Sequence, residues 1–189
     1  MKALADAHPA ARIAVWAGDE HRIGLRPIVR AVWYRRGHRP RAVGRARYQW
    51  LYVYAFVHPI TGQTYWLLLP TVSVAHFSRA LAEFAAALGV GPDFQVVLVI
   101  DRAGWHTSQH VTVPDGLLLV FLPAYSPELQ PAERLWELSD APLANRPFTD
   151  LAELEAVQAE RCQALYAHPD WVTGPRFGWW PQPLAPSVA

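Results

Sequence analysis

The stretch FQVVLVID, residues 94–101, decides the fold. Val96, Val97, Leu98, Val99 and Ile100 follow one another without a polar break, and the run ends on Asp101. Strict alternation marks a strand with one wet face, whereas an unbroken apolar run reads as a central strand covered on both faces. LLLVFLP, residues 117–123, reads as its neighbour; the DRAGWHTSQHVTVPDG between them is too short for a long crossover helix but adequate for a helical turn. An acid at the end of a buried strand raises the question of what it meets there.

Upstream, RIAVWA (12–17) reads as a short strand that ends just before Asp19 and Glu20. WLYVYAFV (50–57) and TYWLLLP (64–70), rich in aromatic and branched residues and separated by HPITGQ, form a hairpin. The intervening 25–49 lacks either period and is punctuated by Pro27, Gly37, Pro40 and Gly44, so it reads as an excursion with one short strand near Ala31 to Tyr34. Ser73 caps a helix whose apolar face is Phe77, Leu81, Phe84 and Leu88 and which Gly89 ends. A further helix starts near Pro131 and stops by Pro142. The last begins at Asp150, with Glu153 in capping-box spacing and Leu151, Leu154, Val157, Cys162 and Leu165 supplying its apolar face. This order gives an α/β fold, a mixed five-stranded sheet with flanking helices. Residues 1–11 are an N-terminal extension, 12–168 the domain, and 169–189 a Trp/Pro-rich tail.

The 189 residues suffice for one domain with a core that needs no staple. The single cysteine, Cys162, cannot form an internal disulfide or a thiolate zinc site, which favours a reducing compartment and makes the cytoplasm the expected location. No uninterrupted apolar run is long enough for a membrane span, so no membrane partner is expected. The formal charge of +1 averages two unlike regions. His21 to Ala82 holds ten arginines and no Asp or Glu, while the remainder holds 7 basic and 16 acidic residues. Positive charge that no acid relieves points to a polyanion, and guanidinium suits bidentate phosphate contacts. Arg26, Arg30, Arg35, Arg36, Arg39, Arg41, Arg45 and Arg47 are the candidate DNA-backbone contacts, which would position rather than specify sequence. Trp33 among them either stacks on a base or packs on the sheet.

Three acids remain to be placed. Asp19 follows the first strand, Asp101 the fourth, and Glu133 lies in the first turn of the helix after the fifth. If strands one and four are parallel neighbours, their ends bring Asp19 and Asp101 together, and the helix swings Glu133 over both. Carboxylates that close repel unless a cation compensates them, and a site of hard oxygen ligands favours Mg2+ or Mn2+. Two ions on the order of 4 Å apart would clamp a phosphodiester. Each acid also has a plain reading: Asp19 and Glu20 as turn residues, Asp101 as the cap of the following turn, Glu133 and Glu128 as helix-start acids favoured by the dipole.

The motifs GDEHRIGL (18–25), DRAGWHTS (101–108) and above all LPAYSPELQPAERLW (122–136) resemble the catalytic domain of DDE-superfamily transposases, in the bacterial insertion-sequence branch related to the mariner elements. Tyr125, Ser126, Pro127, Leu129, Pro131, Glu133 and Trp136 carry the third and most specific match, and the resemblance runs from about residue 12 to about 165. It implies a ribonuclease-H-like fold, Asp19, Asp101 and Glu133 as catalytic and metal-binding acids for two Mg2+ or Mn2+ ions, and cutting and joining of double-stranded DNA at element ends. Where the family commonly has Asn after the second Asp this chain has Arg102, and 31 residues separate Asp101 from Glu133. Glu20, Arg102 and His106 are expected around the acids rather than on the metals. The resemblance leads one to expect a helix-turn-helix reader, for which only eleven residues precede the first strand here. A separate helix-turn-helix subunit and a second copy of the chain are therefore the expected protein partners. A nuclease of the same fold, or an inactive DNA- or protein-binding remnant, are the rival readings.

His106 and His110, four apart, could share an ion on a helix, but no firm helix and no third soft ligand accompany them. Trp105 is expected either in the core or as a surface wedge near DNA.

Overall fold

The computed structural model describes residues 9–33, 35–37, 47–124 and 126–173. Five strands, β1 (Arg12–Gly24), β2 (Trp50–Val57), β3 (Thr64–Leu69), β4 (Phe94–Ile100) and β5 (Leu117–Phe121), form one mixed sheet in the order β3-β2-β1-β4-β5. The β1/β2 and β2/β3 pairs are antiparallel, whereas β1/β4 and β4/β5 are parallel. Among the described residues three helices flank it: α1 (Val74–Leu88), α2 (Glu133–Ser139) and α3 (Leu151–Ala167), with 3-10 turns at Pro127–Leu129 and Pro169–Trp171. Among the described residues no helix is long and apolar enough to cross a membrane.

β4 is an interior strand, between β1 and β5, and is wholly buried from Gln95 to Ile100, as an unbroken apolar run requires. The period of two then sorts the sheet into two cores. Trp16, Tyr54, Phe56, Val96, Leu98 and Ile100 pack with Phe77, Leu81 and Phe84 of α1 on one face. Ala17, Ile23, Val53, Ala55 and Val99 pack on the other with Leu135 and Trp136 of α2 and with Leu154, Cys162 and Leu165 of α3. Caps set the helix ends where the sequence puts them. The Ser73 side chain accepts the His76 N–H, Gly89 closes α1 in the left-handed region at φ 68°, and the Asp150 side chain accepts the Glu153 N–H.

Four local expectations are corrected. β1 does not stop at Ala17 but runs to Gly24, because Gly18–Gly24 keep pairing with β2 after β4 has been left behind. The polar GDEHR looks like a turn only when its pairing partner is ignored. Ala31–Trp33 are not a strand, and Tyr34 lies outside the described residues. β5 ends at Phe121 rather than Pro123. α2 starts at Glu133 without a side-chain cap and ends at Ser139, before Pro142 could stop it.

Candidate active site

The last β1/β4 register pair is Ala17 with Val99. Two residues further on each strand stand Asp19 and Asp101, so the acids occupy equivalent places just past the point where the two strands part. Both share the odd parity of Ala17 and Val99, which face the core that contains α2. Gly18, between Ala17 and Asp19, packs tightly on the opposite face: a Cβ there would meet the Phe56 ring at 2.9 Å and Leu98 at 3.3 Å.

Glu133 reaches the same place because its short helix is tied to β1 at three points. The buried Gln130 donates from Nε2 to the Gly18 carbonyl at 2.9 Å, while its Oε1 accepts the Ala132 N–H at 3.4 Å. The His21 ring stacks on Trp136 at 4.9 Å, and its Nε2 lies 3.1 Å from Asp140 Oδ2. Neither Gln130 nor His21 is marked as a site residue by its type. Both lie inside the motifs quoted above (18–25 and 122–136), which is the signal that could have marked them, but their contacts span more than a hundred positions, so their partners are not legible locally. Asp19, Asp101, Glu133, Arg102, Ser126 and Gln130 thus line one cleft of about 380 Å³.

The acids are not electrically alike. Burial, and then the negative charges of Glu133, Glu20 and Asp101, push the Asp19 carboxyl up to about 8, against the single opposing hydrogen bond from the Glu20 N–H at 2.8 Å. Asp101 is held below the usual carboxylate range, chiefly by the hydrogen bond with His106 and, against partial burial, by the Ala103 N–H at 3.0 Å. Asp101 therefore does cap its turn, and it lines the cleft as well.

Glu20, of opposite parity to Asp19, turns away from the cleft, as adjacent residues of a strand must. His106 Nδ1 lies 2.6 Å from Asp101 Oδ1 and its Nε2 lies 2.9 Å from Glu20 Oε1; Trp105 Nε1 donates to Glu20 Oε2 at 3.1 Å. The imidazole is buried against Phe77. Burial opposes its charged form, but the two carboxylates outweigh that and raise it to about 9, so it bridges them as a cation near neutral pH. Trp105 is thus neither free wedge nor simple core residue. His110 and Glu128 are exposed and take no part in this cluster. Arg102 donates from Nε to the Leu122 carbonyl at 3.0 Å.

Among the described residues, no three or more His, Cys, Asp or Glu side chains are grouped so as to hold a metal ion. The cleft's donor set nonetheless suits a hard cation: its acidic donors are all oxygens, and the half-buried Asp19 carboxyl faces the negative charges of Glu133, Glu20 and Asp101 without an ion pair among the described residues.

Of the basic stretch, Arg26, Arg35 and Arg36 are exposed. Arg30 is held by its backbone, whose N–H and carbonyl both bond the Asn145 side chain at 3.0 and 2.9 Å, and its guanidinium donates to the Glu137 carbonyl. Arg47 donates to the Thr149 carbonyl at 3.4 Å. Trp33 is fully exposed at 104% and does not pack on the sheet. Arg39, Arg41 and Arg45, Tyr125, and the tail from 174 onward lie outside the described residues.

The DDE superfamily endonuclease family matches residues 14–155, well over half of the chain and all three acids. The chain belongs to the DDE superfamily. Uncharacterized protein y4pE/y4sA of Sinorhizobium fredii (strain NBRC 101917 / NGR234) is 37% identical over 106 residues, 56% of this chain and 77% of the relative. Among solved structures, this DDE domain is similar to the pre-cleavage Mos1 transpososome (TM-score 0.59, 18% identity, 90% of this chain and 58% of that one). It is similar also to the Mos1 mariner paired-end complex with Mn (TM-score 0.58, 18%, 84% and 53%) and the Mos1 strand transfer complex (TM-score 0.57, 18%, 90% and 56%). These likenesses establish the fold, a mixed sheet of the ribonuclease-H-like kind, and the DDE chain spans little more than half the length of the Mos1 chains.

Proposed function

We propose that residues 12–168 are the catalytic domain of a DNA transposase, which hydrolyses a phosphodiester at a transposon end and joins the freed 3′-hydroxyl to target DNA. One observation carries this: Asp19, Asp101 and Glu133, far apart in sequence, line a single cleft past the parting of two parallel strands. Membership in the DDE superfamily supports it, and the Mos1 relatives are a strand transfer complex and a paired-end complex with Mn.

Asp19, Asp101 and Glu133 would hold two Mg2+ or Mn2+ ions. Such ions, when bound, ready an attacking oxygen and steady the leaving oxygen of a phosphodiester. The chain's own part is to aim the ligands. His106 fixes one oxygen of Asp101 and draws Glu20 away from the cleft, while Gln130 and His21 hold the Glu133 helix on β1. Arg26, Arg30, Arg35, Arg36, Arg39, Arg41, Arg45 and Arg47 would hold the DNA backbone. Two copies would act together, since two ends must be handled at once, with a helix-turn-helix subunit as reader and the cytoplasm as the setting.

The test is incubation with Mn2+ and labelled duplexes taken from both flanks of the gene. Joined products are expected. Nicks alone would make the protein a nuclease of this fold, and binding with neither would make it an inactive remnant.

A further inference from the structure

We propose that Arg102 is a phosphate-gripping residue of the acid cleft, binding non-bridging oxygens of the DNA backbone beside Asp101; this rests on reading the cleft as a DNA site. Arg102 is the one cation among the described residues that line the cleft, and it shares that lining with Asp19, Asp101 and Glu133. Despite three acids in the same cleft, it forms no ion pair with any of them among the described residues. Arg79 and Arg146, by contrast, are each closed onto a glutamate.

The reason lies in how the side chain is held. Its Nε donates to the Leu122 carbonyl at 3.0 Å, and the guanidinium carbon stands 5.9 Å from the centre of the Phe121 ring. That anchor uses one of the five N–H donors of a guanidinium, and among the described residues the terminal fork has no hydrogen-bond or ion-pair partner. The fork matches two oxygens of a phosphodiester, and fixing the stem beforehand lowers the entropy lost on binding. An anion entering a cleft of carboxylates is otherwise repelled, so a cation fixed at this rim acts where it is most needed.

Arg102→Gln separates the two jobs of the side chain, because the Gln amide nitrogen stands at the same distance along the side chain as Arg Nε. It can keep the bond to Leu122 while removing the fork and the charge. Arg102→Lys keeps the charge and loses the fork. Binding of a labelled 30-base-pair duplex is measured in EDTA across a salt series, with thermal melting alongside. Arg102→Gln is expected to melt like the parent, to lose roughly five- to tenfold in affinity, and to flatten the log–log salt slope by about 0.9, the equivalent of one neutralised phosphate. Arg102→Lys is expected to retain the slope with part of the affinity. Parent-like affinity and slope in Arg102→Gln overturn the proposal and leave Arg102 as a β4–β5 tie. Because the measurement is made without metal, loss of slope in a protein that neither cuts nor joins in Mn2+ sinks the transposase reading and keeps the phosphate grip. Cutting with an unchanged slope sinks the grip alone.

Discussion

Asp101 carries two loads at once: its Oδ1 meets both the Ala103 N–H and the His106 ring, and its residue lines the cleft. Asn can reproduce the acceptor but not the charge. Asp101→Asn should therefore fold and bind DNA as the parent does and lose cleavage by more than about 100-fold, beyond the 10- to 100-fold typical of removing an outer partner of a metal ligand. Parallel melting, binding and cleavage assays check this, and parent-like cleavage would remove Asp101 from the catalytic set. His106 differs in kind, since its side chain is 1% exposed and one of its carboxylate partners, Glu20, is 5% exposed. Breaking a buried pair from one side leaves a charge uncompensated. His106→Ala should cost roughly 3 kcal/mol of stability by that reasoning, seen in denaturant titration. The acids and His106 are legible in sequence because their types are chemically loud. Gln130 and His21 lie in the same quoted motifs, but what they do is set by Gly18 and Asp140, more than a hundred positions away, which the stretches around them do not show.

At the scale of elements, each legible feature has a short-range cause. Ser73, Gly89 and Asp150 do their work within one helical turn, and Ser73→Ala should lower stability by about 1 kcal/mol, read from the melting curve. Gly18 is silent in sequence because the crowding by Phe56 and Leu98 comes from two other strands. Gly18→Ala should destabilise by roughly 1–3 kcal/mol, the usual cost of overpacking, and a variant as stable as the parent would mean the sheet yields there freely. α3 offers a pH-dependent test. Burial pushes the Cys162 thiol up to about 12, against a weak hydrogen bond from Gln158 and the charge of Arg161. In the unfolded chain the thiol ionises near its ordinary value of 9.0, so the native state binds the extra proton between those two values. Stability should accordingly fall with rising pH across that window through this group, and the fall should shrink in Cys162→Ala. Native Cys162 should also stay inert to thiol reagents at pH 8.5 until denaturant exposes it.

Over the whole molecule, charge and cores are arranged by the same sheet. The acids face the α2/α3 side, whereas Glu20 and His106 belong to the α1 side, so a single strand delivers a candidate ligand and its neighbour's support to opposite faces. The ten arginines of His21 to Ala82 make one strongly basic stretch of the sequence, of which Arg22, Arg26, Arg35, Arg36, Arg47 and Arg79 are exposed among the described residues. Neutralising Arg35, Arg36 and Arg39 together should weaken duplex binding at low salt and reduce the log–log salt slope by about 0.9 for each phosphate that is no longer neutralised. An unchanged slope would remove that stretch from the DNA footprint.

The sequence by itself determined the buried strand β4, the hairpin and the capped helices α1 and α3, because an apolar run, a turn and a cap each act through neighbours a few positions away, while the three acids stood out only as members of quoted motifs. Tertiary structure alone decided that β1 runs on through Asp19 to Gly24, that Gln130 and His21 tie Glu133 to it, and that His106 spans Glu20 and Asp101. Those features depend on strand pairing and on contacts between residues distant along the chain. The free energy that fixes them arises only when the sheet has brought the partners within hydrogen-bonding reach.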